Sequence, residues 1–222
     1  MAIRQTEFSA AVEDYAKAIY ALEERDGKVT TTALAERLNV TPASVSGMVR
    51  KLSDQGLVTH ERYRGVSLTE RGTRLALEMM RHHRLLETYL AESLGMSWDR
   101  VHAEAEVLEH VLSDDLEALI AAHLGEPTHD PHGDPIPSAD LTLAEDDTRP
   151  LTALEPGESA TLARVSDDEP EMLCYLAERG IAPGAHLTVV DKQPFGGPLF
   201  VRVGTETHAV GGRLATCLRV RA

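Results

Sequence analysis

TTTALAERLNV, TPASVSGMVRKLSDQG and LVTHERYRGVSLTERG run without a break over residues 30–72, and they decide the fold of the N-terminal third. The first segment is a short amphipathic helix with Leu34 and Leu38 inward, halted near Asn39. A second helix starts at once, because Thr41 is an N-cap residue and Pro42 suits the first helical position. Val45, Met48, Val49 and Leu52 mark its buried side, and Gly56 stops it. The third segment reads as a hairpin: Leu57–Thr59 and Val66–Leu68 flank a basic tip at Arg62–Gly65. Upstream, Glu7 to Glu24 carries Ala11, Tyr15, Ala18, Ile19 and Leu22 at helical spacing. Helix, helix, turn, helix and basic hairpin together spell a winged helix-turn-helix; the competing reading is a generic small helical subdomain.

Charge separates these readings. The chain of 222 residues has a net charge of −14, which as a total argues against a nucleic-acid partner. The charge is uneven, however: residues 41–84 carry eight Lys/Arg against four acids, whereas residues 101–148 carry thirteen Asp/Glu and no Lys or Arg. A locally basic head binds phosphate while an acidic middle collects cations. The recognition helix would offer Thr41, Ala43, Ser44, Ser46 and Gly47 to the major groove. These are short side chains with few bidentate base contacts, so Thr41, Ser44 and Ser46 suit phosphates and Ala43 a thymine methyl. Arg50, Lys51 and Arg64 would supply the salt-dependent phosphate term, and sequence preference would lean on duplex shape.

Two further helices are expected, one from Thr69 to about Leu94 and one from Ser97 to about Leu124, each ended by a glycine. The second contains VHAEAEVLEHV, residues 101–111, in which His102, Glu106, Glu109 and His110 fall on a helical arc of about 100°. Imidazoles and carboxylates on one stripe form a divalent-metal surface; the bland alternative is a solvated acidic face. Val101, Ala105, Leu108, Leu112, Leu116 and Leu119 form an apolar stripe beside it. His83 and Glu87 supply an i, i+4 pair on the preceding helix. The same residues could serve a metal hydrolase, but no nucleophile motif or Gly-rich loop accompanies them and the basic wing would have no task. A regulator sensing an organic ligand would leave the His/Glu stripes unexplained.

GEPTHDPHGDPIPSAD, residues 125–140, ends the helical region with turn formers, and an acidic linker follows. From Leu151 on, short β-branched strands punctuated by glycine, with one helix at EPEMLCYLAERG, describe a small β-barrel. Cys174 and Cys217 are too few for a disulfide framework. No apolar run has the length of a membrane span, and MAIRQTEFSA lacks a signal-peptide core, so the expectation is a soluble cytoplasmic protein without a membrane partner.

VEDYAKAIYALEE, the helix-turn-helix, MRHHRLLETYL, RVHAEAEVLEHVLSDDLE and DPHGDPIP, in this order, resemble the diphtheria-toxin-repressor family of metal-dependent transcriptional regulators in its three-domain form. The resemblance implies a mainly α chain with α+β elements: a winged helix-turn-helix at 1–73, a helical dimerisation and metal-binding domain at 74–144, a linker at 145–150 and an SH3-like β-barrel at 151–222. It implies a primary metal site of Asp14, Glu106, Glu109 and His110. A neighbouring site would use His83, Glu87 and His102, completed from the third domain near Glu169, Glu171 and Met172, where Met172 departs from the amide of iron-type members. Those members place a thioether and a thiol where this chain has Asp14 and Glu106. Carboxylates suit hard Mn²⁺ better than sulfur does, so Mn²⁺ is the expected effector, Fe²⁺ the alternative, and Co²⁺, Ni²⁺, Cd²⁺ or Zn²⁺ substitutes in vitro. The implied function is a homodimeric repressor, not an enzyme, that binds palindromic operator DNA and controls manganese uptake genes.

Overall fold

A computed structural model describes residues 8–61, 65–145, 147–166 and 169–221. Helices α1 (Ala10–Asp26), α2 (Thr31–Arg37) and α3 (Pro42–Asp54) are followed by the hairpin β1 (Val58–Glu61) and β2 (Gly65–Leu68). The turn between α2 and α3 forms as its residues dictate. Asn39 takes φ 50°, and the Thr41 hydroxyl accepts from the Ser44 amide at 3.2 Å. Val12, Ile19, Leu22, Leu34, Val45, Leu52 and Val66 meet in one buried core. Val29 adds a bridge to Val66 beside the wing, close enough that a side chain at Gly65 would meet the Val29 carbonyl.

α4 (Glu70–Glu92) is capped by Thr69, whose hydroxyl accepts from the Gly72 amide at 3.1 Å. The expected single helix from Ser97 to Leu124 is instead broken. α5 (Trp98–Leu108) gives way to one 3₁₀ turn, Glu109–Val111, an extended Leu112 and then α6 (Asp114–His123). Ser113, Asp114 and Asp115 are the reason. The serine hydroxyl accepts from the Leu116 amide at 3.3 Å, and both aspartates sit in the first turn of α6, so a new helix N-terminus outcompetes continuation. The break buries Leu112 yet leaves Val107, Leu108, Val111, Leu116 and Leu119 exposed, so only part of the expected apolar stripe is core.

The chain forms two compact units. One takes the residues up to His83 together with Glu106–Leu119 and Pro137–Thr142; the other takes Arg84–Ala105, Ile120–Ile136 and Leu143 onward. In the second unit β3 (Arg149–Pro150), β4 (Ser159–Val165), β5 (His186–Lys192), β6 (Leu199–Val203), β7 (Glu206–Val210) and β8 (Leu218–Arg221) form an antiparallel sheet of order β3-β8-β4-β5-β6-β7. α7 (Pro170–Ala177) buries Leu173 and Leu176 in the core of this SH3-like sheet, and α8 (Gly212–Thr216) adds Ala215. Both cysteines are free. Among the described residues no helix is long and apolar enough to cross a membrane.

Candidate metal centres

The first unit gathers Asp14, Glu109 and His110 so that one ligand atom from each lies within 4.8 Å of the others. Asp14 projects from α1, while Glu109 and His110 lie in the 3₁₀ turn, so the break after α5 shapes this pocket. Glu13, buried on α1, faces His110, whose Nδ1 donates to its carboxylate at 2.7 Å. That bond fixes the tautomer and turns Nε2 toward Asp14 Oδ1, 3.1 Å away. Asp14 Oδ1 is buried and accepts no hydrogen bond. A buried carboxylate oxygen opposite an imidazole lone pair fits a cation, so this donor set suits a hard or borderline divalent ion. Burial pushes the Asp14 carboxyl above its ordinary pKa, with His110 and Lys17 opposing.

Glu106 is not in that cluster of three. Its carboxylate is held by Lys17 Nζ at 2.6 Å and by His83 Nδ1 at 3.2 Å. Lys17 Nζ also lies 2.6 Å from Glu109 Oε1, and His83 Nδ1 lies 2.5 Å from Glu109 Oε2. Burial works against ionisation of Glu106, yet the His83 hydrogen bond and the Lys17 charge outweigh it and hold the pKa far below the usual carboxylate range. Behind the pocket, Glu117 takes Arg81 at 2.6 Å and His82 at 3.0 Å, tying α4 to α6.

A second cluster of Glu87, Asp130 and His132 lies in the second unit, all three buried. The loop after α6 places Asp130 and His132. Asp130 Oδ1 accepts from the amides of His132 and Asp134, both at 2.9 Å, and folds the loop on itself. Gly133 takes φ +87°, and a Cβ there would stand 1.9 Å from the Ala163 carbonyl oxygen on β4. The amide of Val165 then donates to the His132 carbonyl at 2.9 Å. His132 Nε2 donates to the Trp98 carbonyl at 2.8 Å, which leaves the Nδ1 lone pair toward Glu87 Oε2, 3.8 Å away. Trp98 stacks on the same imidazole with ring centroids 5.8 Å apart. His102 Nδ1 meets Glu87 Oε1 at 3.1 Å. Burial, then the charges of Asp134 and Glu87, raise the Asp130 carboxyl well above its ordinary pKa.

The structure therefore joins Asp14, Glu109 and His110, sets Glu106 and His83 beside them, and joins Glu87 to His102. Glu169, Glu171 and Met172 differ in their surroundings. Glu169 pairs with Arg213, Glu171 is exposed in the first turn of α7, and Met172 packs on the sheet core. Glu13, Lys17, Asp130 and His132 are new to the two sites. Asp130 and His132 had a signal, since acid and imidazole two residues apart between prolines make a rigid donor pair. On the recognition helix Thr41, Ala43, Ser44, Ser46, Gly47, Arg50 and Lys51 are all exposed, while Arg64 lies outside the described residues.

Comparison with known proteins agrees with this architecture. Residues 7–66 match the family model for the iron dependent repressor N-terminal DNA binding domain, and residues 69–138 its metal binding and dimerisation domain. Residues 149–222 match the FeoA domain. The iron-dependent repressor IdeR of Mycobacterium leprae is 31% identical over 94% of this chain and 95% of its own. That of Mycobacterium tuberculosis is 32% identical at the same coverage. Among solved structures, a manganese-dependent transcriptional repressor in complex with manganese is 45% identical, with a TM-score of 0.88, covering 94% of this chain and 98% of that one. The manganese regulator SloR is 32% identical with a TM-score of 0.79, covering 95% of this chain and 97% of its own. The chain belongs to the diphtheria-toxin-repressor family of metal-dependent, DNA-binding transcriptional repressors.

Proposed function

We propose that this chain is a manganese-responsive repressor of manganese uptake genes. The observation that carries the reading is the donor set of the first pocket, Asp14, Glu109 and His110 with Glu106 adjacent, which is oxygen and nitrogen throughout. Such donors suit Mn²⁺, and a manganese-dependent repressor and a manganese regulator are among the similar structures. Fe²⁺ is the second reading, favoured by the iron-dependent relatives. A bound divalent ion supplies positive charge and directional coordination among these carboxylates. Asp14 belongs to the helix that opens the winged head, whereas Glu109 and His110 follow α5, so joint ligation fixes the head against that turn. Glu87, Asp130, His132 and His102 form the second site in this reading, in place of a set completed by Glu169, Glu171 and Met172.

Val107, Val111 and Leu119, each more than half exposed, offer an apolar face for a symmetric homodimer within the helical domain at 74–144. The winged head at 1–73 would then sit twice on a palindromic duplex, with Thr41, Ala43, Ser44, Ser46, Gly47, Arg50, Lys51 and Arg64 at the DNA. The region from 151 to 222 is the SH3-like domain, reached through the linker at 145–150. Fluorescence anisotropy of a labelled inverted-repeat duplex, selected from a random pool by the Mn²⁺-loaded chain, tests the proposal. Titrated in turn with Mn²⁺, Fe²⁺, Co²⁺ and Zn²⁺, binding should saturate with Mn²⁺ and vanish with chelator. Equal binding by the chelated chain would sink metal dependence; Fe²⁺ activation without Mn²⁺ activation would select the second reading.

A further inference from the structure

Lys17 stands where an incoming ion needs oxygen. It lies one helical turn from Asp14 on α1, and its ammonium reaches Glu106 Oε2 and Glu109 Oε1, both at 2.6 Å. The Glu109 side chain is fully buried and that of Lys17 is 19% exposed, so this is not a loose surface pair. A lysine at the rim of an acidic pocket has long, flexible methylenes and could extend into solvent instead. Here both contacts span the pocket, from α1 to the end of α5 and the 3₁₀ turn.

We propose that Lys17 is an intramolecular competitor for divalent metal: its ammonium occupies oxygens of Glu106 and Glu109 and thereby sets the ion concentration at which the first pocket fills. The inference rests on the pocket reading given above. Glu13, Asp14, Glu106 and Glu109 bring four carboxylates together, and one ammonium already neutralises part of that charge. An ion entering must displace Nζ or share a buried space with it, and either event weakens binding relative to a pocket without the lysine. The penalty is electrostatic, so it falls on every divalent ion alike. Lys17 sets a threshold; the donor atoms set the preference.

Isothermal titration of the full chain with MnCl₂ tests this, with Asp14→Ala identifying the binding component that belongs to the first pocket. Lys17→Gln should tighten the Asp14-dependent component by at least about tenfold, a direction that loss of a merely structural salt bridge would not produce. Lys17→Arg keeps the charge and should stay within about threefold of the parent. Repeating the titration with ZnCl₂ should give the same factor as Mn²⁺. Unchanged or weaker binding by Lys17→Gln, with Asp14→Ala still abolishing the component, would overturn the competitor and leave the pocket standing. If Asp14→Ala removes no component, the pocket reading itself fails and takes the competitor with it. Crystals of the Mn²⁺-loaded parent chain give a test that needs no variant. Nζ should have left at least one of its two carboxylates, and retention of both contacts beside a bound ion would refute the proposal.

Discussion

The two ligand clusters contain the same chemical groups and differ in how the strongest pKa shift beside each one runs. In the first, Lys17 and His83 stand among the acids, and Glu106 stays ionised far below its ordinary range. In the second, Glu87, Asp130 and His132 are all buried; Arg84 Nε stands 3.7 Å from Asp130 Oδ2, yet burial and the charges of Asp134 and Glu87 outweigh it and raise the Asp130 carboxyl well above its ordinary pKa. Cationic neighbours keep Glu106 charged over a wide pH range. A carboxyl whose pKa is raised binds an ion in competition with protons over a wider pH range. The second cluster also takes Asp130 and His132 from a loop locked to β4, whereas the first is assembled from α1 and a 3₁₀ turn.

The largest effects are expected from removing one ligand from each cluster. Asp14→Ala should weaken Mn²⁺ binding in the first pocket by about 1000-fold, roughly 4 kcal/mol, since it deletes a charged ligand. Trp98, the chain's one tryptophan, stacks on His132, so its fluorescence reports the second cluster and should still respond to Mn²⁺ in that variant. Glu87→Ala should do the reverse. If either substitution abolishes both responses, the clusters are not separate sites.

A slightly smaller effect is expected at Gly133, which sharpens the contrast in rigidity. An added Cβ at φ +87° would collide with the Ala163 carbonyl, so Gly133→Ala should destabilise the second unit by about 2–3 kcal/mol in a denaturant melt. Mn²⁺ should then fail to change Trp98 fluorescence at the concentrations that serve the parent chain, while Asp14-dependent binding persists. Smaller again is the effect of Glu13, which orients His110 from behind. Glu13→Ala should weaken the first pocket by about 10- to 100-fold, and Glu13→Gln, still able to accept from Nδ1, should recover most of it. Equal losses in both variants would mean that charge rather than orientation is what Glu13 contributes.

What the sequence disclosed follows the range of the interactions involved. Thr41-Pro42, Gly56 and Thr69 announce helix boundaries because capping is decided within a few residues. Asp14, Glu109 and His110 were legible through family resemblance, and the structure brings them together. The break between Val111 and Asp114 was hidden because VHAEAEVLEHVLSDDLE keeps helical periodicity across it, and the Ser113 cap only has to compete locally. Lys17 and Glu13 gave no signal at all. Their partners lie 89 to 97 residues away, and a charged residue on an amphipathic helix ordinarily faces water. Asp130 and His132 were visible as a motif, but their direction toward Glu87 depends on one glycine and one Trp98 carbonyl.

Asp130 and Glu106 also differ in the sign of their pH dependence. Asp130 has its pKa raised on folding, so between its ordinary and its raised value the folded metal-free chain holds a proton that the unfolded chain has lost. Stability contributed by that proton is present at low pH and lost as pH rises through the raised value. Glu106 runs the other way. Its lowered pKa gives stability that is present above the unfolded value and lost as pH falls toward the depressed one. With chelator present, Trp98-detected melting of the second unit should therefore soften as pH climbs out of the carboxylate range. With Mn²⁺ present the trend should reverse, because ion binding requires Asp130 ionised and strengthens as its proton is lost. A melting temperature that rises with pH in chelator as steeply as in Mn²⁺ would mean that Asp130 is already charged in the metal-free fold, and the contrast between its raised pKa and the lowered one of Glu106 would disappear.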